Sequence, residues 1–113
     1  MEIKEIYTLI GQSIVDSINE DWNNAILEIE FTGKSSEFSL SYFRNNHEQV
    51  YSDYSAYTFE LHKAIKELHK MTTEEGIYTK WNKINFKLTS DGQMELEYIW
   101  DQELYDEIER LSK

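Results

Sequence analysis

The residues Trp81 to Trp100, WNKINFKLTSDGQMELEYIW, leave this chain little choice of local structure. Ile84, Phe86 and Leu88 alternate with Lys83, Asn85 and Lys87; beyond Ser90, Asp91 and Gly92, the residues Met94, Leu96, Tyr98 and Trp100 alternate with Glu95, Glu97 and Ile99. A repeat of two is the side-chain period of a strand, so the stretch predicts a β-hairpin. A loop of Ser90, Asp91 and Gly92, with Gly92 at positive φ, opposes Leu88 to Met94, Phe86 to Leu96 and Ile84 to Tyr98. Both apolar rows then share one face. A two-residue Asp-Gly turn would oppose Leu88 to Glu95 and put the rows on different faces, so the longer loop is the consistent one.

The same period recurs earlier. From Ala25 to Thr32, Leu27, Ile29 and Phe31 alternate with Ile26, Glu28 and Glu30, and Phe38, Leu40 and Tyr42 then alternate with Glu37, Ser39 and Ser41. A connection through Gly33, Lys34, Ser35 and Ser36 predicts a second hairpin that pairs Phe31 with Phe38 and Ile29 with Leu40. Asn45, Asn46 and His47 make a further turn, after which EQVYSDY can add a short third strand.

Helical spacing occupies the remainder. Ile3, Ile6, Tyr7, Ile10, Ile14 and Ile18 form an apolar stripe over residues 2–19, with Glu2 and Glu5 suiting the first turn. Residues 55–73 place Tyr57, Leu61, Ala64, Ile65, Leu68 and Met71 on a second stripe, and Gly76 suits the position past its end. Residues 101–113 predict a last helix with Asp101 as N-cap and Leu104, Ile108 and Leu111 inward. The order α-β-β-(β)-α-β-β-α, with one apolar row per strand, defines an α+β fold: an antiparallel sheet of four to five strands with helices packed on one face. Residues 1–113 read as a single domain. The other sheet face would carry Ile26, Glu28, Glu30, Ser39, Ser41, Phe43, Lys83, Lys87, Glu95 and Glu97.

Charge bears most on function. The net charge is −11, and it is unevenly spread: residues 1–33 hold seven acidic side chains against Lys4 alone, 34–90 seven against eight basic ones, and 91–113 eight against two. If the two acidic ends meet in space, they make one strongly negative surface. Such a surface disfavours nucleic acid and anionic membrane as direct ligands and favours a basic partner, although acidity also serves solubility alone. The chain has no cysteine, which removes disulfides and thiolate metal sites, and no run of about 20 apolar residues that would span a bilayer. The expected location is cytoplasmic.

The usual constellations of catalysis are missing from the pattern. His62 and His69 lie seven apart on one helix, about 10 Å along its axis and too far for one zinc. Carboxylates such as Glu95 and Glu97, or Glu28 and Glu30, recur at exposed strand positions rather than in a pocket that would separate their pKa values. Gly11, Gly33, Gly76 and Gly92 are too dispersed for a phosphate loop, and no serine has the G-x-S-x-G setting. The expectation is a non-enzyme with no metal and no cofactor. Tyr51 and Tyr54, beside Asp53, read either as cover for the sheet edge or as rigid anchors of a binding surface.

The layout resembles the YezG-like (DUF600) immunity proteins, antitoxins of secreted bacterial nuclease toxins. The similarity lies in the N-terminal helix IYTLIGQSIVDSI followed by EDW, the strand pair after it, the central helix, and WNKINFKLTSDGQMELEY near the end. Trp22, Trp81, Asp91, Gly92 and Tyr98 stand at positions where those proteins look alike, in packing and turn roles. The resemblance implies a protein that binds and neutralises a cognate toxin domain. Acidity gives this an independent physical rationale, because a nuclease presents a basic groove to phosphates. The candidate toxin-binding residues are Glu28, Glu30, Tyr51, Asp53, Tyr54, Glu95, Glu97, Asp101, Glu103, Asp106 and Glu107. Lys83 and Lys87 are expected to pair with Glu95 and Glu97 across the hairpin, leaving the carboxylates from Asp101 onward as the unpaired set. An acidic interaction module of adaptor or chaperone-like type would use the same surface without inhibiting an enzyme; gene neighbourhood separates the two.

Overall fold

A computed structural model of the chain describes residues 2–52, 59–73 and 80–111. In chain order these form α1 (Ile3–Ser17), β1 (Asn24–Phe31), β2 (Ser36–Phe43), β3 (Gln49–Ser52), α2 (Phe59–Thr73), β4 (Lys83–Thr89), β5 (Met94–Ile99) and α3 (Gln102–Leu111). The strands make one antiparallel sheet in the order β3-β2-β1-β4-β5, the α+β architecture that the alternation implied. No helix among the described residues is long and apolar enough to cross a membrane.

The β4–β5 hairpin has the expected register, Leu88 opposite Met94, Phe86 opposite Leu96 and Ile84 opposite Tyr98. Its loop closes with the Gly92 N–H on the Thr89 carbonyl at 3.0 Å and the Thr89 N–H on the Gln93 carbonyl at 2.9 Å, and Gly92 has φ +93°. The β2–β3 loop repeats this geometry. There His47 N–H donates to the Arg44 carbonyl and Arg44 N–H to the Glu48 carbonyl, both at 2.9 Å, but the positive φ of 69° falls on His47. A histidine therefore occupies a conformation that glycine adopts without steric penalty.

The β1–β2 register differs from expectation by two residues. Phe31 faces Ser36, Ile29 faces Phe38 and Leu27 faces Leu40. The reason is a shorter loop of Gly33 and Lys34. Gly33 supplies φ +93° at the first loop position, while Thr32 Oγ1 accepts from the Ser35 N–H at 3.1 Å and so holds the turn closed. Because side chains alternate with period two, the slip leaves every residue on its expected face.

The core lies between the sheet and the first two helices. Ile6, Ile10 and Ile14 of α1 and Leu61, Ala64, Ile65 and Leu68 of α2 cover Ala25, Leu27, Ile29, Leu40, Ile84 and Phe86. Glu2 opens α1, its N–H donating to Glu5 Oε1 at 3.2 Å. On α2 the described stripe matches expectation, with Thr72 added to the buried set and Met71 only half-buried; Tyr57 and Gly76 lie outside the described residues. Trp81 is fully buried, with its ring against Phe31, His69 and Tyr98 and its Nε1–H donating to Thr72 Oγ1 at 2.7 Å. Tyr7 and Tyr98 join α1 to β5 through a 2.8 Å hydroxyl contact, and burial raises the Tyr98 pKa, with the Tyr7 contact adding to it.

The last helix departs from expectation. Asp101 caps it, Oδ1 accepting from the Leu104 N–H at 3.0 Å, but no residue of α3 is buried. Leu104 and Ile108 are half-buried, and Leu111, expected inward, is 72% exposed. The core has already been closed by α1 and α2 over a five-stranded sheet, so the stripe of α3 has no interior left to enter.

Candidate functional site

The register sets which carboxylates share a surface. Across the sheet, Tyr51 of β3 opposes Ser41, which opposes Ile26, then Lys87, then Glu95 of β5; one row over, Ser39 opposes Glu28, then Asn85, then Glu97. A third row runs Glu37, Glu30, Lys83 and Ile99. All of these point away from α1 and α2, because directly opposed residues in neighbouring strands share a face. The candidates Glu28, Glu30, Tyr51, Glu95 and Glu97 thus lie on one face. Tyr51 is 80% exposed, which makes it surface rather than sheet-edge cover. Asp53 and Tyr54 lie outside the described residues.

Lys83 sits among these acids with partners other than those expected. Its Nζ lies 2.9 Å from Asp101 Oδ2 and 3.5 Å from Glu30 Oε1, while in the ladder Glu97 opposes Asn85 and Glu95 stands opposite Lys87. The physical reason is position. Lys83 begins β4, where the row ends on Ile99 of β5, so its nearest carboxylates are on β1 and in the cap of α3. Asp101 is consequently not free: the Lys83 ammonium, then the Leu104 N–H, holds its carboxyl below the ordinary value, and Asp101 in turn raises the Lys83 pKa. Asn82 fixes the same junction from behind. Its Oδ1 accepts from the Asp101 N–H at 2.8 Å and its Nδ2 donates to the Asp101 carbonyl at 2.9 Å.

This junction leaves a groove of about 440 Å³ between the polar sheet face and the first turn of α3, lined by Glu28, Glu30, Lys83, Asn85, Ile99, Trp100, Asp101 and Glu103. The structure therefore brings together Glu28, Glu30, Asp101 and Glu103, with Glu95 and Glu97 on the same face further along. Asp106 and Glu107 stand on the exposed part of α3; Gln102 Nε2 donates to Asp106 at 2.9 Å, and Arg110 lies 3.9 Å from Glu107. Carboxylate oxygens spread around one ammonium can accept guanidinium and ammonium donors from a partner. The two acidic ends meet only in part: Glu28 and Glu30, from residues 1–33, share the groove with Asp101 and Glu103. Glu2, Glu5 and Asp16 belong to α1 or its cap, on the far side of the sheet.

Two features were not foreseen. Glu20 accepts from the Tyr42 hydroxyl and from Arg44 Nε at 2.8 Å, an arrangement that lowers the Glu20 pKa, chiefly through Arg44, and ties the α1–β1 connection to β2. Nothing in the local pattern announces it, since the partners are more than twenty residues apart. The second is a groove of about 670 Å³ along α2, lined by Phe31, Phe59, Lys63, Lys66, His69 and Lys70 among others. The lysine spacing was readable as one helix face; the aromatic floor needed the fold. Among the described residues, no three His, Asp or Glu side chains converge to hold a metal ion. No protein-family model matches the chain, and a search of curated proteins finds no match.

Proposed function

We propose that this protein is an immunity protein, which binds a cognate secreted bacterial toxin of the nuclease type and blocks it. The observation that carries the reading is the acidic sheet face: Glu28, Glu30, Glu95 and Glu97 stand on one plane beside Asp101 and Glu103, with Lys83 and Lys87 as the bases among them. A nuclease domain must display positive potential where phosphates bind, and a plane of carboxylates complements it. The resemblance of the N-terminal helix and the Trp81–Tyr98 hairpin to the YezG-like proteins points the same way. The partner is then a basic toxin domain encoded nearby, and cytoplasmic residence follows from the need to meet an incoming toxin.

The test is co-expression with the toxin domain of the neighbouring gene. Wild-type protein should co-purify with it and protect growth. Reversal of Glu28, Glu95 and Glu97 to Lys should lower the association rate by about tenfold or more at low salt, in the range that electrostatic steering supplies, and should abolish protection. Full protection by the reversed variant, with an unchanged salt dependence, would remove the electrostatic account.

A further inference from the structure

We infer that α3 is the hydrophobic anchor of the partner interface, and that its occupant is a basic protein surface carrying an apolar cleft. The inference rests on the partner-binding reading above and adds where affinity, as opposed to attraction, is generated. On a helix, Leu104, Ile108 and Leu111 fall on one stripe, and Glu103 and Glu107 border it on one side. Leu111 is 72% exposed and Tyr105 43%, with Leu104 and Ile108 half-buried, whereas the leucine and isoleucine side chains of α1 and α2 pack on or in the core. Tyr105 is held in place by Trp100, their rings 5.2 Å apart, and Trp100 lines the acidic groove. The apolar stripe and the carboxylate face are thus joined through Trp100 into one continuous surface.

The helix is also rigidly placed at its base. Asp101 caps it, Lys83 bonds that cap at 2.9 Å and the Asn82 side chain grips the Asp101 backbone on both sides. A fixed base with an exposed apolar tip resembles the arrangement of interface hot spots, where a few pre-positioned apolar and aromatic side chains enter a pocket and surrounding charges exclude water. Charge decides between occupants. A second copy of this chain would bring another net −11 to a stripe already bordered by Glu103 and Glu107. A basic partner gains from those same groups.

The stripe and the sheet face should therefore separate in kinetics. In surface-binding measurements with the neighbouring toxin domain, Leu111→Ser should weaken the complex by about tenfold or more through faster dissociation, with the association rate changed by less than about twofold. Leu111→Met, which keeps the apolar volume, should stay within about threefold of wild type. Since Leu111 is outside the core, far-UV circular dichroism and thermal midpoints of both variants should match wild type. A toxin complex whose dissociation is unaffected by Leu111→Ser overturns the anchor and leaves the immunity reading standing. Absence of any wild-type complex overturns the immunity reading. The anchor is then judged by a synthetic lysine–leucine amphipathic helical peptide in amide chemical-shift mapping: shifts centred on Leu104, Ile108 and Leu111, missing with a glutamate–leucine peptide, support it, and shifts centred elsewhere refute it. A wild-type dimer in sedimentation that Leu111→Ser abolishes would assign the stripe to a second copy and refute the proposed occupant.

Discussion

Replacing Thr72 by valine should destabilise the protein although it preserves side-chain shape. Thr72 is 3% exposed, accepts the Trp81 Nε1–H at 2.7 Å and donates its own hydroxyl to the Leu68 carbonyl at 2.8 Å. Valine strands the indole donor in a site closed to water, and an unsatisfied buried donor costs about 1–3 kcal/mol. The central expectation is about 2 kcal/mol, or roughly 8 °C in thermal midpoint for a chain of this size. Trp81→Phe removes the donor itself but opens about 40 Å³, which at roughly 24 cal/mol per Å³ plus lost contact area also comes to about 2 kcal/mol. In the double variant no donor is stranded, so the loss should fall short of the two single losses combined by about 1–2 kcal/mol. Urea unfolding followed by far-UV circular dichroism gives all four values without relying on tryptophan emission. A Thr72→Val variant as stable as wild type, or strict additivity in the cycle, would refute the argument that this hydrogen bond governs how Trp81 is buried.

Other outcomes follow from particular positions. His47→Gly should raise stability by about 0.5–1 kcal/mol by relieving positive φ, whereas Gly92→Ala, at φ +93°, should lower it by about 1 kcal/mol; chemical denaturation checks both. Leu27→Ala, on the central strand with no exposed surface, should cost about 3 kcal/mol, while Leu111→Ser should stay within about 0.5 kcal/mol of wild type. Asp101 has its carboxyl pKa depressed by Lys83, so its ion pair contributes stability above the unfolded pKa of about 3.9 and loses it as pH falls through the folded value. Asp101→Asn keeps a capping oxygen and loses the titration, and urea midpoints at neutral pH and at about pH 3 should differ less in the variant than in wild type.

How much of this was readable from residues alone depends on the range over which each feature is determined. The β4–β5 hairpin was legible to the residue because its apolar rows and Gly92 each demand the same register. The β1–β2 hairpin was legible in face but not in register, since Gly33 permits loops of several lengths and a shift of two costs no side chain its side of the sheet. The polar face was named correctly, yet its charge pairing was not. Lys83 meets Glu30 and Asp101 because β1, not β5, lies on its other flank, and strand order is a property of the whole chain. The exposure of Leu111 was illegible for a related reason: the spacing of Leu104, Ile108 and Leu111 states that a helix has an apolar side, and only the fold shows that this side is half covered at Leu104 and Ile108 and open at Leu111.

The place of β1 in the sheet has a consequence for how the chain is made. Of the five described strands it comes first along the chain and lies at the centre of the sheet, and its two neighbours arrive far apart, β2 at once and β4 only from Lys83. A nascent chain that has extruded α2 therefore holds β1 with one edge bare and the apolar row of Leu27 and Ile29 half covered, a state open to misassociation. In that state Glu28 and Glu30 are already displayed, but neither Lys83 nor the Asp101 cap yet exists to complete the groove. The groove would therefore be completed late, only once Lys83, Asp101 and Glu103 have followed, and its assembly waits on the pairing of β4 with β1.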